Sequence, residues 1–168
     1  MLNMRAAITL ATLLGTSLAL VASVSGQALL PKATVQHATV VAAASVASVA
    51  PGGVVTLFAD VIPNPSIHIY AAGAKDFTPV SLVTTPNAAV STGKPRYPRA
   101  DVASAPGSTD AAPAYNKLFR IALPATIKAT TKSGEVITVG GAVTYQACDE
   151  RLCYPVSIAP VTWQVVVK

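Results

Sequence analysis

From Pro31 onward, proline and glycine interrupt this chain so often that no long helix fits it. Pro51-Gly52-Gly53, Pro63-Asn64-Pro65, Pro86-Asn87 and Lys132-Ser133-Gly134 each mark a turn. The thirteen prolines lack a backbone donor and disrupt helical hydrogen bonding. Between these breaks lie short runs rich in Val and Thr, which favour strands. They cover 38–50, 54–62, 67–70, 80–84, 88–91, 118–123, 125–131, 136–145 and 155–168. The last ends in alternating Val161, Trp163, Val165 and Val167, and Trp163 reads as core. Gly140-Gly141 interrupts the run before it and suggests a bulge. Residues 92–113 hold Gly93, Pro95, Pro98, Pro106, Gly107 and Pro113 and read as a long irregular loop, a length that often carries function. Many short strands with closely spaced turns indicate an all-β sandwich.

The N-terminus carries a different signal. Arg5 precedes an apolar run from Ala6 to Val24, and the small residues Ser25, Gly26 and Ala28 follow. This is the order of a secretory signal peptide, which gives a signal over 1–28, a leader over 29–37 and one domain over 38–168. Cleavage after Gly26 and retention as a membrane anchor are the alternatives, since the run is long enough to span a bilayer. No later segment is long enough, so the cleaved protein has no membrane span. The formal charge is +5, from twelve basic and seven acidic residues. Removing Arg5 leaves eleven against seven, or +4. Lys94, Arg96 and Arg99 are spaced by Pro95, Tyr97 and Pro98, which argues for a solvated loop and against a nucleic-acid footprint.

An exported chain enters a compartment that permits disulfides. Its two cysteines, Cys148 and Cys153, enclose Asp149-Glu150-Arg151-Leu152. Strand signals flank them, so a hairpin sets them opposite each other, with Cα atoms roughly 4.5–5.5 Å apart. That separation allows a bond without moving the backbone. Three roles compete. As a staple the bond restricts the unfolded chain little, by roughly 2 kcal/mol against nearly 5 for a loop of about a hundred residues. As a metal site the pair lacks partners, because His37 and His68 are distant in sequence and zinc wants four ligands, or three and water. Reversible exchange with another protein is the favoured role. Asp149 and Glu150 should raise a neighbouring thiol pKa and Arg151 should lower it.

The segment Tyr145-Gln146-Ala147-Cys148-Asp149-Glu150-Arg151-Leu152-Cys153-Tyr154-Pro155 resembles the cysteine segment of the periplasmic N-terminal domain of the thiol:disulfide interchange protein DsbD. Pro51-Gly52-Gly53, His68-Ile69-Tyr70-Ala71, Gly93-Lys94-Pro95-Arg96-Tyr97-Pro98 and Phe119-Arg120-Ile121 resemble further family segments in the same order. The resemblance implies an immunoglobulin-like antiparallel β-sandwich with a cysteine pair shielded by a loop. It implies a periplasmic electron carrier without a cofactor. Its partners would be thioredoxin-like: a donor domain, and a disulfide isomerase or a cytochrome c maturation protein as acceptor. Cys153 would form the mixed disulfide and Cys148 would resolve it. Tyr70, Tyr97, Tyr145 and Tyr154 are candidates to surround the pair, and His68 a candidate supporting residue, though each also suits plain packing. Lys94 and Arg96 stand where some members carry acidic residues beside the cap aromatic. The family's membrane channel and terminal thioredoxin-like domain do not follow in this sequence, so the donor is expected to be borrowed. The rival reading is a secreted, non-enzymatic immunoglobulin-like binding module with a structural disulfide.

Overall fold

Alternation in the sequence becomes alternation of burial along the strands. The computed structural model describes residues 37–107 and 111–168, so the proposed signal segment and nearly all of the leader lie outside the described residues. The strands are β1 (Ala38–Ala44), β2 (Ser48–Val49), β3 (Val54–Pro63), β4 (His68–Tyr70), β5 (Ser81–Thr84) and β6 (Val90–Thr92). There follow β7 (Asp101–Ser104), β8 (Ala111–Tyr115), β9 (Phe119–Ile127), β10 (Val136–Tyr145), β11 (Ala147–Cys148) and β12 (Ser157–Val167). No helix occurs among the described residues.

Two four-stranded sheets, ordered β1-β3-β9-β6 and β2-β12-β10-β5, make the sandwich. Each presents one apolar face to a shared core. Val55, Leu57, Ala59 and Val61 of β3 are buried, as are Ile121, Leu123, Ala125 and Ile127 of β9. Val139, Val143, Trp163 and Val165 are buried from the other sheet. Full burial of a Val, Leu or Ile contributes roughly 1.5–3 kcal/mol relative to exposure. The Trp163 indole donates from Nε1 to the Phe58 carbonyl at 2.7 Å, so its one polar atom is satisfied across the sandwich. The architecture is the expected all-β, immunoglobulin-like sandwich, and among the described residues one pairing departs from antiparallel: β2 runs parallel to β12.

Several local expectations change. The first run divides at Ser45, so that β1 joins one sheet and β2 the other. The runs on either side of Pro124 form one strand, β9. In an antiparallel strand a residue's N–H and C=O point to the same side. The Pro124 carbonyl accepts from Gly93 N at 2.8 Å, so its missing donor falls on that side and not on the ladder with β3. The 92–113 stretch is not wholly irregular, because β7 and the start of β8 pair within it. Gly140-Gly141 forms no bulge, and the β10–β12 register runs through it unbroken.

Gly141 is required for space. A Cβ there would lie 2.8 Å from the Val83 carbonyl oxygen and 3.2 Å from the Trp163 ring. At Gly140 the nearest atom would be the Thr85 hydroxyl at 3.5 Å, an ordinary contact. Gly141→Ala should therefore cost about 1–3 kcal/mol in urea denaturation, as overpacking does, with Gly140→Ala close to neutral. Equal midpoints for the two variants would contradict this packing account.

Candidate functional site

The β10–β12 ladder ends at Tyr145 opposite Ser157. The next pair is Cys148 opposite Cys153. Gln146 and Ala147 separate these pairs on one strand, while Tyr154, Pro155 and Val156 separate them on the other. The extra residue is a bulge-like shift, which bends a hairpin and increases its twist. It carries β11 out of the sandwich sheet and onto β4, where Ala147 faces Ile69 and Cys148 faces His68. A third sheet results, ordered β11-β4-β8-β7. Gln146 fastens this junction. Its Oε1 accepts from Thr78 N at 3.0 Å and its Nε2 donates to the Tyr154 carbonyl at 3.4 Å.

Backbone bonds place the sulfurs. Tyr154 N donates to Ala147 O at 2.8 Å, and Asp149 N donates to Leu152 O at 3.0 Å. These two bonds flank the cysteines, which therefore occupy the non-hydrogen-bonded position where antiparallel strands approach most closely. The Cα atoms are 4.0 Å apart, nearer than the expected 4.5–5.5 Å, and the two residues are joined by a disulfide. Cys148 is completely buried, while Cys153 is partly exposed.

A small apolar cluster holds Cys148 with Tyr70 and Ala114. Phe77, Ala74, Ala103, Ala112 and Cys153 pack against it. The Phe77 ring stacks on Tyr70 with centroids 3.9 Å apart. Gly73 at φ 90° and Asp76 at φ 62° take left-handed conformations in the segment that presents Phe77. The cover thus has two parts: the β7–β8 ribbon, within the 92–113 stretch that reads in sequence as a long loop, and the 71–79 segment, which carries no such signal. Gly93-Lys94-Pro95-Arg96-Tyr97-Pro98 does not carry the aromatic cover. It runs beside β9, where Arg96 pairs with Ala122. The aromatic in the cover is Phe77, and the acidic Asp76 precedes it.

Asp149 has a structural task of its own. Its Oδ1 accepts from Arg151 N at 2.7 Å and Leu152 N at 2.9 Å, closing an Asx-type turn. Its Oδ2 accepts from the Tyr154 hydroxyl at 2.7 Å. The Tyr154 hydrogen bond, followed by those from Leu152 and Arg151, holds the Asp149 carboxyl down to about 2. The same bond raises the Tyr154 phenol.

Of the remaining candidates, Tyr70 and Tyr154 join the site. Tyr97 does not, because its hydroxyl accepts from Leu82 N at 3.0 Å and its ring packs on the main core. Tyr145 lies in that core too, and burial pushes its phenol up to about 12. The histidines, distant in sequence, both reach the hairpin. His37 stacks on Tyr154 with centroids 3.6 Å apart, and His68 faces Cys148. Among the described residues no group of three or more His, Cys, Asp and Glu is arranged to hold a metal ion.

The Asp149 turn predicts an acid dependence. A carboxyl whose folded pKa lies below its ordinary 3.8 adds stability that is full above 3.8 and is lost as pH falls through about 2. Denaturation midpoints of the oxidised protein should fall across that window. In Asp149→Asn this part of the fall should vanish, and an unchanged acid profile would refute the assignment.

The profile of the family described as "Thiol:disulfide interchange protein DsbD, N-terminal" matches residues 35–161. No curated protein matches the chain. The N-terminal periplasmic domain of ScsB from Proteus mirabilis is 17% identical, with a TM-score of 0.51 over 76% of this chain and 46% of that one. The reduced N-terminal domain of DsbD from Neisseria meningitidis is also 17% identical, with a TM-score of 0.47 over 74% of this chain and 82% of that one. With a profile match over most of its length, and a cysteine pair at the end of an immunoglobulin-like sandwich, this chain belongs to the DsbD N-terminal domain family.

Proposed function

We propose that this domain is a periplasmic electron relay that exchanges its Cys148–Cys153 disulfide with thioredoxin-like proteins. The unequal exposure of the two cysteine residues carries the reading. Cys153 is the partly exposed one and Cys148 is sealed behind it. In the reduced domain the Cys153 thiolate attacks the partner's disulfide. One partner sulfur leaves as a thiolate and takes up a proton. Cys148 then loses its proton and attacks Cys153 Sγ, and the partner's second sulfur leaves with the electron pair of its bond to Cys153 and takes up a proton. Two electrons and two protons have moved to the partner, and the domain is oxidised. A reduced thioredoxin-like donor restores the thiols by the reverse sequence.

The chemistry needs no cofactor, because the second thiol is already adjacent and acts at high effective concentration. Acceptors of the disulfide isomerase or cytochrome c maturation type fit this role. Among the described residues no helix is long and apolar enough to cross a membrane. The cover over Cys148 supports specificity by docking, since a partner must displace Phe77 or the β7–β8 ribbon to reach both sulfurs.

Cys148→Ser should accumulate mixed disulfides through Cys153 with thioredoxin-fold proteins of periplasmic extract, and Cys153→Ser should accumulate far fewer. An empty trap with Cys148→Ser would remove the main support for a relay. The rival binding module predicts a reduction potential below about −300 mV, whereas an exchanging pair lies above it. Phe77→Ala should speed reduction by dithiothreitol severalfold while leaving the potential little changed. A rate no faster than that of the unmodified domain would mean that Phe77 does not shield the bond.

A further inference from the structure

Closing the disulfide requires a proton to leave Cys148 in surroundings that resist its ionisation. Tyr70, Ala114, Phe77, Ala103 and Ala112 supply an apolar wall, and the residue has no solvent exposure. Burial of this kind raises a thiol pKa. A base close to the sulfur would remove the obstacle.

His68 is placed to be that base. It lies directly opposite Cys148 in the β4–β11 pairing. Directly opposed residues point to the same face, with Cβ atoms about 4.5–5.5 Å apart. Tyr70, two residues along β4, shares that face, and its ring meets the His68 ring edge-on at 5.1 Å. His68 is 8% exposed, and its Nε2 is buried without a hydrogen-bond partner. A buried polar atom left unsatisfied costs stability and invites a functional explanation. The Tyr70 hydroxyl on the same face is buried without a partner too, but burial raises its phenol, so the imidazole is the group that can accept a proton near neutral pH.

The charged and titratable neighbours are few. Asp149 and Glu150 face His68 from the hairpin turn, and Tyr70 from its own strand. Ser66, Ala103, Ser104 and Asn116 line the groove of about 320 Å³ beside it and do not ionise at these pH values. Burial lowers the imidazole pKa, and Asp149 opposes that shift. The ring is therefore neutral near pH 7 and free to accept a proton, with a carboxylate nearby to stabilise the imidazolium once formed.

We propose that His68 accepts the proton of the Cys148 thiol as that sulfur closes onto Cys153. The Cys148 S–H bond breaks, a Cys148–Cys153 S–S bond forms, the departing group takes the electron pair of its bond to Cys153, and the proton rests on His68. The proposal rests on the relay reading only in making Cys148 the closing thiol, and its test needs no protein partner.

The reduced domain is mixed with the disulfide reagent DTNB in a stopped-flow instrument. Attack by Cys153 releases one thionitrobenzoate, and closure by Cys148 releases a second at a rate independent of reagent concentration. In the unmodified domain the closure rate should rise with pH through an inflection in the imidazole range, below 6.5. His68→Phe keeps an aromatic ring without a base, and His68→Gln keeps polarity without one. In either variant closure near neutral pH should slow on the order of a hundredfold, the scale of general-base catalysis. The inflection should then move to the thiol range, about 8.5 or above. A structural role would change the melting temperature without moving the inflection. If a folded variant closes at the unmodified rate, the proposal is overturned. Should neither variant fold, the unmodified profile alone decides, because a single inflection in the thiol range contradicts a histidine base. A failed partner trap beside a histidine-dependent closure would count against the relay and not against His68.

Discussion

The β10–β12 ladder is the constraint from which the site follows. Its pairs run from Val136 opposite Val166 to Tyr145 opposite Ser157 without a break. The inner face of this ladder supplies Val139, Val143, Trp163 and Val165 to the core, so its register cannot slip by one residue without turning those side chains to solvent. The one-residue shift is deferred to the end of the ladder, beyond Tyr145. There it turns the chain from the sandwich toward β4 and leaves the cysteines on a short hairpin held in the third sheet. A rigid hairpin end is a suitable place for exchange chemistry, because the sulfur positions are set by strands and not by a free loop.

Two features divide the labour within that hairpin. The turn residues are organised by Asp149, whose carboxylate is committed to Arg151 N, Leu152 N and the Tyr154 hydroxyl. Its charge is thus bound into local structure and does not act simply as a negative neighbour of the thiols. Gln146 works on the other side, linking Thr78 of the covering segment to Tyr154 beside Cys153. The cover and the hairpin therefore share one side chain, and displacement of the cover disturbs Gln146 as well.

Much of the sandwich was legible because burial writes itself into alternation. β3, β9 and β12 bury every second residue, and their Val, Leu, Ile and Trp positions announce the pattern. The cysteine pairing was legible from the four-residue spacing together with the strand signals on either side. The β7–β8 ribbon was not, because Ala, Ser and Pro carry little strand signal and its pairing rests on backbone bonds. Gly140-Gly141 misled for a related reason: a glycine needed for close approach looks the same in sequence as one at a bulge. Phe77 escaped notice because its contact with Tyr70 depends on the path of the 71–79 segment, marked only by Gly73. Gln146 carried no signal beyond its place in the cysteine segment. Tyr145 and Tyr97 show the opposite case, since an aromatic residue in a family-like segment can be a member of the main core, as Tyr145 is, or pack on its edge, as Tyr97 does.

The disulfide joins two residues only five apart on one hairpin and crosses between no two layers of the sandwich. A ring that small removes little freedom from the unfolded chain. The molecule's architecture is therefore nearly indifferent to whether the bond is present. Any agent that donates electrons to it, or withdraws them, meets the energetics of sulfur and its immediate wrapping, because the bond lies outside the cluster that joins the two sheets.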